Sequence, residues 1–444
     1  MLFRNSEKRV TEWIQHSKRA LLISGARQVG KTTLIRHCLQ KGKKRYLEIN
    51  LIERPELVRV FAQSQTVQDL TINLSALMDF SFSTGTILFI DEVQEFPEIV
   101  TRVKFWVSEG SYRYILSGSL LGVELRNLRS VPVGYLEEIQ MFPLDFEEFL
   151  IASGVTAETR SYLLECFRQK KAVSDLIHDK MMTHFRRYLV VGGMPAAVQE
   201  YISSGNLNVV SEIQRNIVEQ YKRDFTKYEL QEKKLMLISV FEQIPSQLLK
   251  QNRRFNYSDV QKGLRFERVE DSFLWLSSAG AAIPVYNATE PRVSLNQNKK
   301  SSLLKLYSSD AGLLTSQYGN ALTMNILTDN SQVNLGGIYE NAVAQELHAK
   351  GFPLYFYNSH KNGELDFVIE QDERVVPIEV KSGKDYYVHS AISKAVENPE
   401  YQIEKAYVLG NCNVSQEDKI INLPVYMTMF IREEITLPTL SLEV

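Results

Sequence analysis

Residues Ala20-Leu21-Leu22-Ile23-Ser24 run straight into Gly25-Ala26-Arg27-Gln28-Val29-Gly30-Lys31-Thr32, and this junction decides the fold of the first third of the chain. The first stretch has the composition of a short buried parallel strand. The second is GxxxxGK[ST], a turn whose backbone N–H groups converge on phosphate at the positive N-terminus of the following helix. Gly25 and Gly30 permit backbone angles and a close approach that a side chain would block. Lys31 is then placed to reach the β- and γ-phosphates of a nucleoside triphosphate, and the Thr32 hydroxyl to ligate Mg²⁺. Ala26, Gln28, Val29 and Thr33 complete the expected phosphate-binding set. Average residue usage yields about one or two chance matches per hundred chains of this length. The flanking strand and helix therefore carry the assignment.

Further along, Ile87-Leu88-Phe89-Ile90 reads as a central strand ending in two carboxylates, Asp91 and Glu92. In this setting Asp91 holds Mg²⁺ through water, while Glu92 polarises the water that attacks the γ-phosphate. The competing reading is that Asp-Glu simply opens a helix, where acidic side chains suit the dipole. Tyr46 to Asn50 and Tyr112 to Leu116 are further strand candidates, the latter leading into Ser117-Gly118-Ser119. Strands alternating with helical stretches imply right-handed crossovers and a doubly wound parallel α/β sheet. Ser117 or Ser119, at a strand's carboxyl end, is placed to sense the γ-phosphate.

The chain has 444 residues, which predicts about three domains. Hydrophobic residues at 44% and charged residues at 23% fit packed domains rather than disorder. A formal net charge of -2 excludes nucleic-acid binding by overall basicity, so any such contact must use a local patch. Cys38, Cys166 and Cys412 are far apart and lack CxxC spacing, which argues against a disulfide framework or zinc cluster. The charged N-terminus does not read as a signal peptide, and no stretch has the length of a membrane span. A cytoplasmic location, with no membrane partner, is the expectation.

The stretches SGARQVGKTTL, ILFIDEVQEFPE, YILSGSLL, FPLDFEEFL, VVGGMPAAV, KLYSSDAGLL and IYENAVAQEL resemble, in the same order, the prokaryotic AAA-superfamily ATPases whose C-terminal half is a domain of unknown function. The resemblance spans about residues 18 to 380, and it implies ATP as the nucleotide. It also implies a AAA-like core over 1–152 and a helical lid or linker over 153–228. Members usually carry a Gly-Arg pair before the EFL-type segment, whereas this chain has Gly134-Tyr135. That departure leaves the arginine role unassigned, with Arg126 and Arg129 as substitutes.

Within 153–228 the pattern is helical, and Gly192-Gly193-Met194-Pro195 marks a break between helices. Residues 229–325 read as three helices (KKLMLISVFEQI, YSDVQKGL, VEDSFLWLSSAG) followed by strands AIPVYN and LLKLYSS, the order of a winged helix. Lys250, Arg253, Arg254, Lys262, Arg265 and Arg268 form a local basic patch for DNA, though the same module also serves protein docking. In 326–444, Glu340 falls on a helix, Asp366 on a strand, and Glu379-Val380-Lys381 on the next strand. This ordered set resembles the PD-(D/E)xK nuclease fold, a restriction-endonuclease-like α/β domain. The resemblance implies Glu340, Asp366 and Glu379 around a second Mg²⁺ or Mn²⁺, with Lys381 activating water. The opposing reading is that these carboxylates and the lysine only hold the fold. Three functions compete: an ATP-driven switch acting on the C-terminal region in DNA processing or defence, an ATP-gated nuclease, and a signalling ATPase with a non-catalytic DNA- or protein-binding adaptor. Oligomerisation is open in each.

Overall fold

The computed structural model describes residues 1–119, 134–225, 231–329, 333–383 and 389–432. The chain divides into two compact units, Met1–Leu144 with Leu274–Ala281, and Asp145–Phe273 with Ala282–Val444.

The first unit is built on strands β1 (Ala20–Gly25), β2 (Tyr46–Asn50), β3 (Ile87–Asp91), β4 (Arg113–Ser117) and β5 (Leu136–Met141), in the order β2-β3-β4-β1-β5. Every pairing in this sheet is parallel. The near-continuous apolar character of β1 and β3 follows from burial on both faces, since every residue from Ala20 to Ser24 and from Ile87 to Asp91 is buried. Leu22, Ile49, Leu88, Ile90 and Leu116 pack with Phe61 and Trp106 from the covering helices. The helix Val67–Met78 starts on a reciprocal cap in which Thr66 and Asp69 satisfy each other's backbone N–H. Because all strands run the same way, the carboxyl ends of β1, β3 and β4 lie along one edge, where an open α/β sheet binds its ligand.

The second unit contains β6 (Ala282–Ala288), β7 (Lys299–Ser308), β8 (Tyr355–Ser359), β9 (Gly363–Gln371), β10 (Arg374–Val380), β11 (Ala406–Gly410), β12 (Ser415–Glu417) and β13 (Ile420–Pro424). They form one mixed sheet, β12-β13-β11-β10-β9-β8-β6-β7. The winged-helix expectation fails here in two ways. The two strands expected as a wing are instead an antiparallel pair at the edge of this sheet, joined to it by parallel pairing of β6 with β8. The middle one of the three expected helices, YSDVQKGL, makes only a short 3-10 turn, Tyr257–Asp259, whereas the third forms the helix Glu270–Ser278. Asn256 caps that turn, Asp259 is drawn to Gln247 and Lys250, and Gly263 at φ 77° breaks the chain's direction before a helix can propagate. Apart from Leu274–Ala281, the residues expected as lid (153–228), winged helix (229–325) and C-terminal domain (326–444) fall in this one compact unit.

Four of the motif stretches interlock inside this unit. The helix Phe146–Ala152 starts on a reciprocal Asp145–Glu148 cap, and its Phe146 amide donates to Glu346 of the helix Gly336–Ala349. Gln345, one residue earlier on that helix, donates to the Tyr188 hydroxyl at 2.8 Å and accepts from the Ala311 amide at 2.8 Å. Asp310 is fully buried and takes the amides of Gly193 at 2.6 Å and Leu313 at 2.8 Å. Gly192 has to be glycine at this junction: its φ is 70°, and a Cβ there would lie 2.2 Å from Asp310 Oδ1. Among the described residues no helix is long and apolar enough to cross a membrane.

Candidate functional site

The loop after β1 places Gly25 at φ 137°, Gln28 at φ 63° and Gly30 at φ 93°, and the helix Lys31–Lys41 begins directly behind it. The requirement for Gly25 is now physical: it pairs with Met141 of β5, and a Cβ would stand 2.1 Å from the Met141 carbonyl oxygen. Ala26 and Val29 are buried, while Gln28 and Thr33 are exposed. Lys31 is only 7% exposed, and its ammonium donates to the loop's own carbonyls, Gly25 O at 3.0 Å and Ala26 O at 2.8 Å. Burial lowers its pKa to about 8, against the pull of Glu92 and Asp91. A buried cation resting on carbonyl oxygens is poised to exchange them for phosphate oxygens, which carry full charge.

At the end of β3, Asp91 is buried and its Oδ2 accepts from the Thr32 hydroxyl at 2.7 Å. Its Oδ1 accepts from the Ser117 hydroxyl and from the Glu92 amide. Ser117, expected as a phosphate sensor, is therefore engaged in bracing Asp91. Ser119 is 2% exposed, and its hydroxyl has no hydrogen-bond partner among the described residues. Glu92 adopts the left-handed conformation, φ 58° and ψ 44°, and accepts a hydrogen bond from the Gln94 side chain. The pair Thr32–Asp91 is an oxygen-donor set that fits magnesium. Arg126 and Arg129 lie outside the described residues, and Tyr135 uses its carbonyl to hold the Ala20 amide at 2.9 Å.

Two contributors escaped the sequence reading. Arg4 is buried and ties the loop down, donating to Val29 O at 2.6 Å and to Phe142 O at 2.6 Å. An arginine near the N-terminus carries no motif, so no sequence signal marked it. The other is Gly280, in the segment Leu274–Ala281 of the same unit. It has φ 70°, and a Cβ there would sit 3.0 Å from Ala26 Cβ and 3.2 Å from the Ala26 amide nitrogen. Gly280→Ala should therefore displace the loop and weaken nucleotide binding by roughly tenfold. Gly110→Ala is the control, since Gly110 also has positive φ, 84°, but nothing near its missing Cβ; affinity there should be unchanged. Equal titration curves for Gly280→Ala and wild type would remove the contact's role.

In the second unit, the helix Gly336–Ala349 brings Glu340 to Asp366 on β9 and Glu379 on β10, next to the pair in which Ile378 lies opposite Phe367. Lys381 lies 2.9 Å from Glu379 Oε1. Burial and the neighbouring Asp366 push both Glu340 and Glu379 up to about 7. The metal-binding expectation for Glu340, Asp366 and Glu379 is not met: among the described residues no three acidic, histidine or cysteine side chains form a group able to hold a metal. Most of their oxygens already have partners, Glu379 Oε2 being the exception. Glu340 takes Arg253 and, at 2.8 Å, the Tyr307 hydroxyl, while Asp366 Oδ2 takes the Val380 amide at 2.9 Å. Two members of the expected basic patch are consumed in this way, Arg253 by Glu340 and Arg254 by Glu364, and Lys250 is paired with Asp259.

With this geometry in hand, comparison with known proteins is informative for the first unit. Residues 17–150 match a family model described as an AAA domain. Residues 182–323 and 335–427 match two domains of unknown function, DUF8612 and DUF4143. No curated protein matches the chain. Among solved structures, the Walker-type ATPase PABY2304 of Pyrococcus abyssi is 14% identical, covering 71% of this chain and 96% of that one with a TM-score of 0.43. PCH-2 of C. elegans is 11% identical over 50% of this chain and 70% of that one, with a TM-score of 0.28. A chain from the structure of Drosophila ORC bound to DNA is 13% identical over 72% and 93%, with a TM-score of 0.28. At such scores the structural likenesses carry no functional argument. The AAA match falls on the parallel sheet whose first strand carries the phosphate loop, and residues 17–150 are thereby a P-loop domain of the AAA type.

Proposed function

We propose that the chain binds ATP with magnesium at the loop Gly25–Thr32 and hydrolyses it, and that the second unit is the output of this nucleotide switch. The observation that carries the reading is the buried Lys31 ammonium beside a Thr32–Asp91 pair 2.7 Å apart, at the carboxyl edge of a parallel sheet. Lys31 would move from the carbonyls of Gly25 and Ala26 onto the β- and γ-phosphates, with the loop amides around Gly30 taking the remaining oxygens. Thr32 and Asp91 would hold the magnesium, whose charge offsets that developing on the β- and γ-phosphate oxygens. Glu92 is the base: it accepts a proton from water as the water oxygen bonds to the γ-phosphorus and the bond to the β,γ-bridging oxygen breaks. Ser119 supplies a donor to the γ-phosphate.

Calorimetric titration of the full chain with ATP and Mg²⁺ tests this directly. Saturable heat is expected in wild type, and Lys31→Ala should weaken binding by about tenfold to a hundredfold, the worth of a lost charge-assisted contact. Absence of heat in wild type with every nucleoside triphosphate would remove the reading altogether.

The output has two candidate partners. Lys262, Arg265 and Arg268 are exposed and remain available to a polyanion, which supports DNA contact by the second unit. Binding that falls steeply with salt would favour DNA, and flat salt dependence a protein partner. A metal-dependent nuclease is the reading that the carboxylate cluster least supports.

A further inference from the structure

The carboxylate cluster contains a cation of its own. Lys305, on β7, is fully buried, and its ammonium lies 2.8 Å from Glu364 Oε1, 3.5 Å from Asp366 Oδ1 and 3.6 Å from Glu340 Oε2. We infer that Lys305 is the resident cation of this cluster, standing where a divalent metal would bridge the same oxygens, and that the second unit works as a metal-independent binding module.

The charge inventory supports this. Glu340, Glu364, Asp366 and Glu379 are matched by Lys305, Arg253, Arg254 and Lys381, each cation within ion-pair distance of at least one of the four acids. Even with all four acids ionised, four negative charges against four positive leave no excess to attract a divalent ion, and a buried cluster of this kind is tolerable only when balanced. The ligand geometry agrees. Glu340 has both oxygens engaged by Arg253 and Tyr307, Glu364 both by Lys305 and Arg254, and Asp366 by Lys305 and the Val380 amide. Of the oxygens of these four acids, Glu379 Oε2 is the one buried without a hydrogen-bond partner among the described residues, and one oxygen does not make a metal site. A metal bridging the same oxygens would have to displace the fully buried Lys305 ammonium. Its neighbours Leu304 and Leu306 are buried as well.

This inference does not depend on the nucleotide site, and its test is run on nucleotide-free full-length protein. Mn²⁺ uptake is followed by electron paramagnetic resonance in wild type and in Asp366→Asn, up to about 1 mM Mn²⁺, the weak end of protein carboxylate sites. Identical curves are expected. A wild-type site that Asp366→Asn abolishes would overturn the inference. Lys305→Ala supplies the second arm: with the ammonium removed, the four acids are left in excess, so the variant should either take up a single Mn²⁺ that Asp366→Asn removes, or lose the thermal transition of the second unit. A Lys305→Ala protein that melts like wild type and binds no Mn²⁺ would show the ammonium to be dispensable and would also overturn it.

Discussion

Glu92→Gln should leave ATP affinity within about threefold of wild type while turnover falls by about two to four orders of magnitude, the usual contribution of a positioned base. Glutamine keeps the size and hydrogen-bonding reach of the side chain but cannot accept the proton that water must lose. Binding survives because the phosphates are held by the loop and Lys31, not by Glu92. The resting geometry sharpens the expectation. Glu92 is tethered by Gln94, so its carboxylate must be released or turned before it meets water, and the left-handed backbone at φ 58° places it at a kink rather than inside a helix. The measurement is phosphate release at saturating ATP beside a binding titration. Turnover unchanged in Glu92→Gln would move the base elsewhere.

The second large effect lies outside the nucleotide site. Asp310→Ala should destabilise the second unit by about 3–5 kcal/mol, since it strands several buried amides at once. The Gly193 and Leu313 amides donate to this carboxylate where there is no access to water, and Gln345 approaches it at 3.5 Å. Burial pushes the carboxyl up to about 6 while the amides of Gly193, Leu313 and Gly312 pull it back, so the ionised form is the one held at neutral pH. Hydrogen exchange is the suitable readout, because the amides of Gly193 and Leu313 should lose protection first and by the largest factor. Retained protection at both positions in Asp310→Ala would show that other groups close the junction.

These two sites explain what the sequence could and could not disclose. The phosphate loop and the Asp91–Glu92 pair were legible because strand, turn and helix are local, and each residue type is fixed by the chemistry it performs. The junction of VVGGMPAAV with KLYSSDAGLL was visible as two recurring stretches but not as a pair, since Gly193 and Asp310 meet across more than a hundred residues of chain. The wing was misread for the same reason. An apolar run such as Ala282–Ala288 announces a strand, yet nothing local says that its neighbour will be Tyr355–Tyr357 rather than a small separate module. Lys305 was invisible because a lysine in LLKLYSS is read as a solvated head on a strand edge, and only the convergence of Glu340, Glu364 and Asp366 makes its burial sustainable. Of the carboxylates expected in the C-terminal site, Asp366 falls on β9 and Glu379 on the adjacent β10; of the cations around the cluster, Lys381 was expected to activate water, Arg253 and Arg254 to meet DNA, and Lys305 carried no signal.

The segment Leu274–Ala281 belongs to the first unit although the residues before and after it belong to the second. A ribosome making this chain at about 5–20 residues per second finishes the phosphate loop early, but cannot complete the unit around it until residue 281 has emerged. For that interval the loop waits without the glycine that leans on Ala26, so a nascent or truncated product ending near residue 150 carries every nucleotide motif and still lacks a wall of its own site.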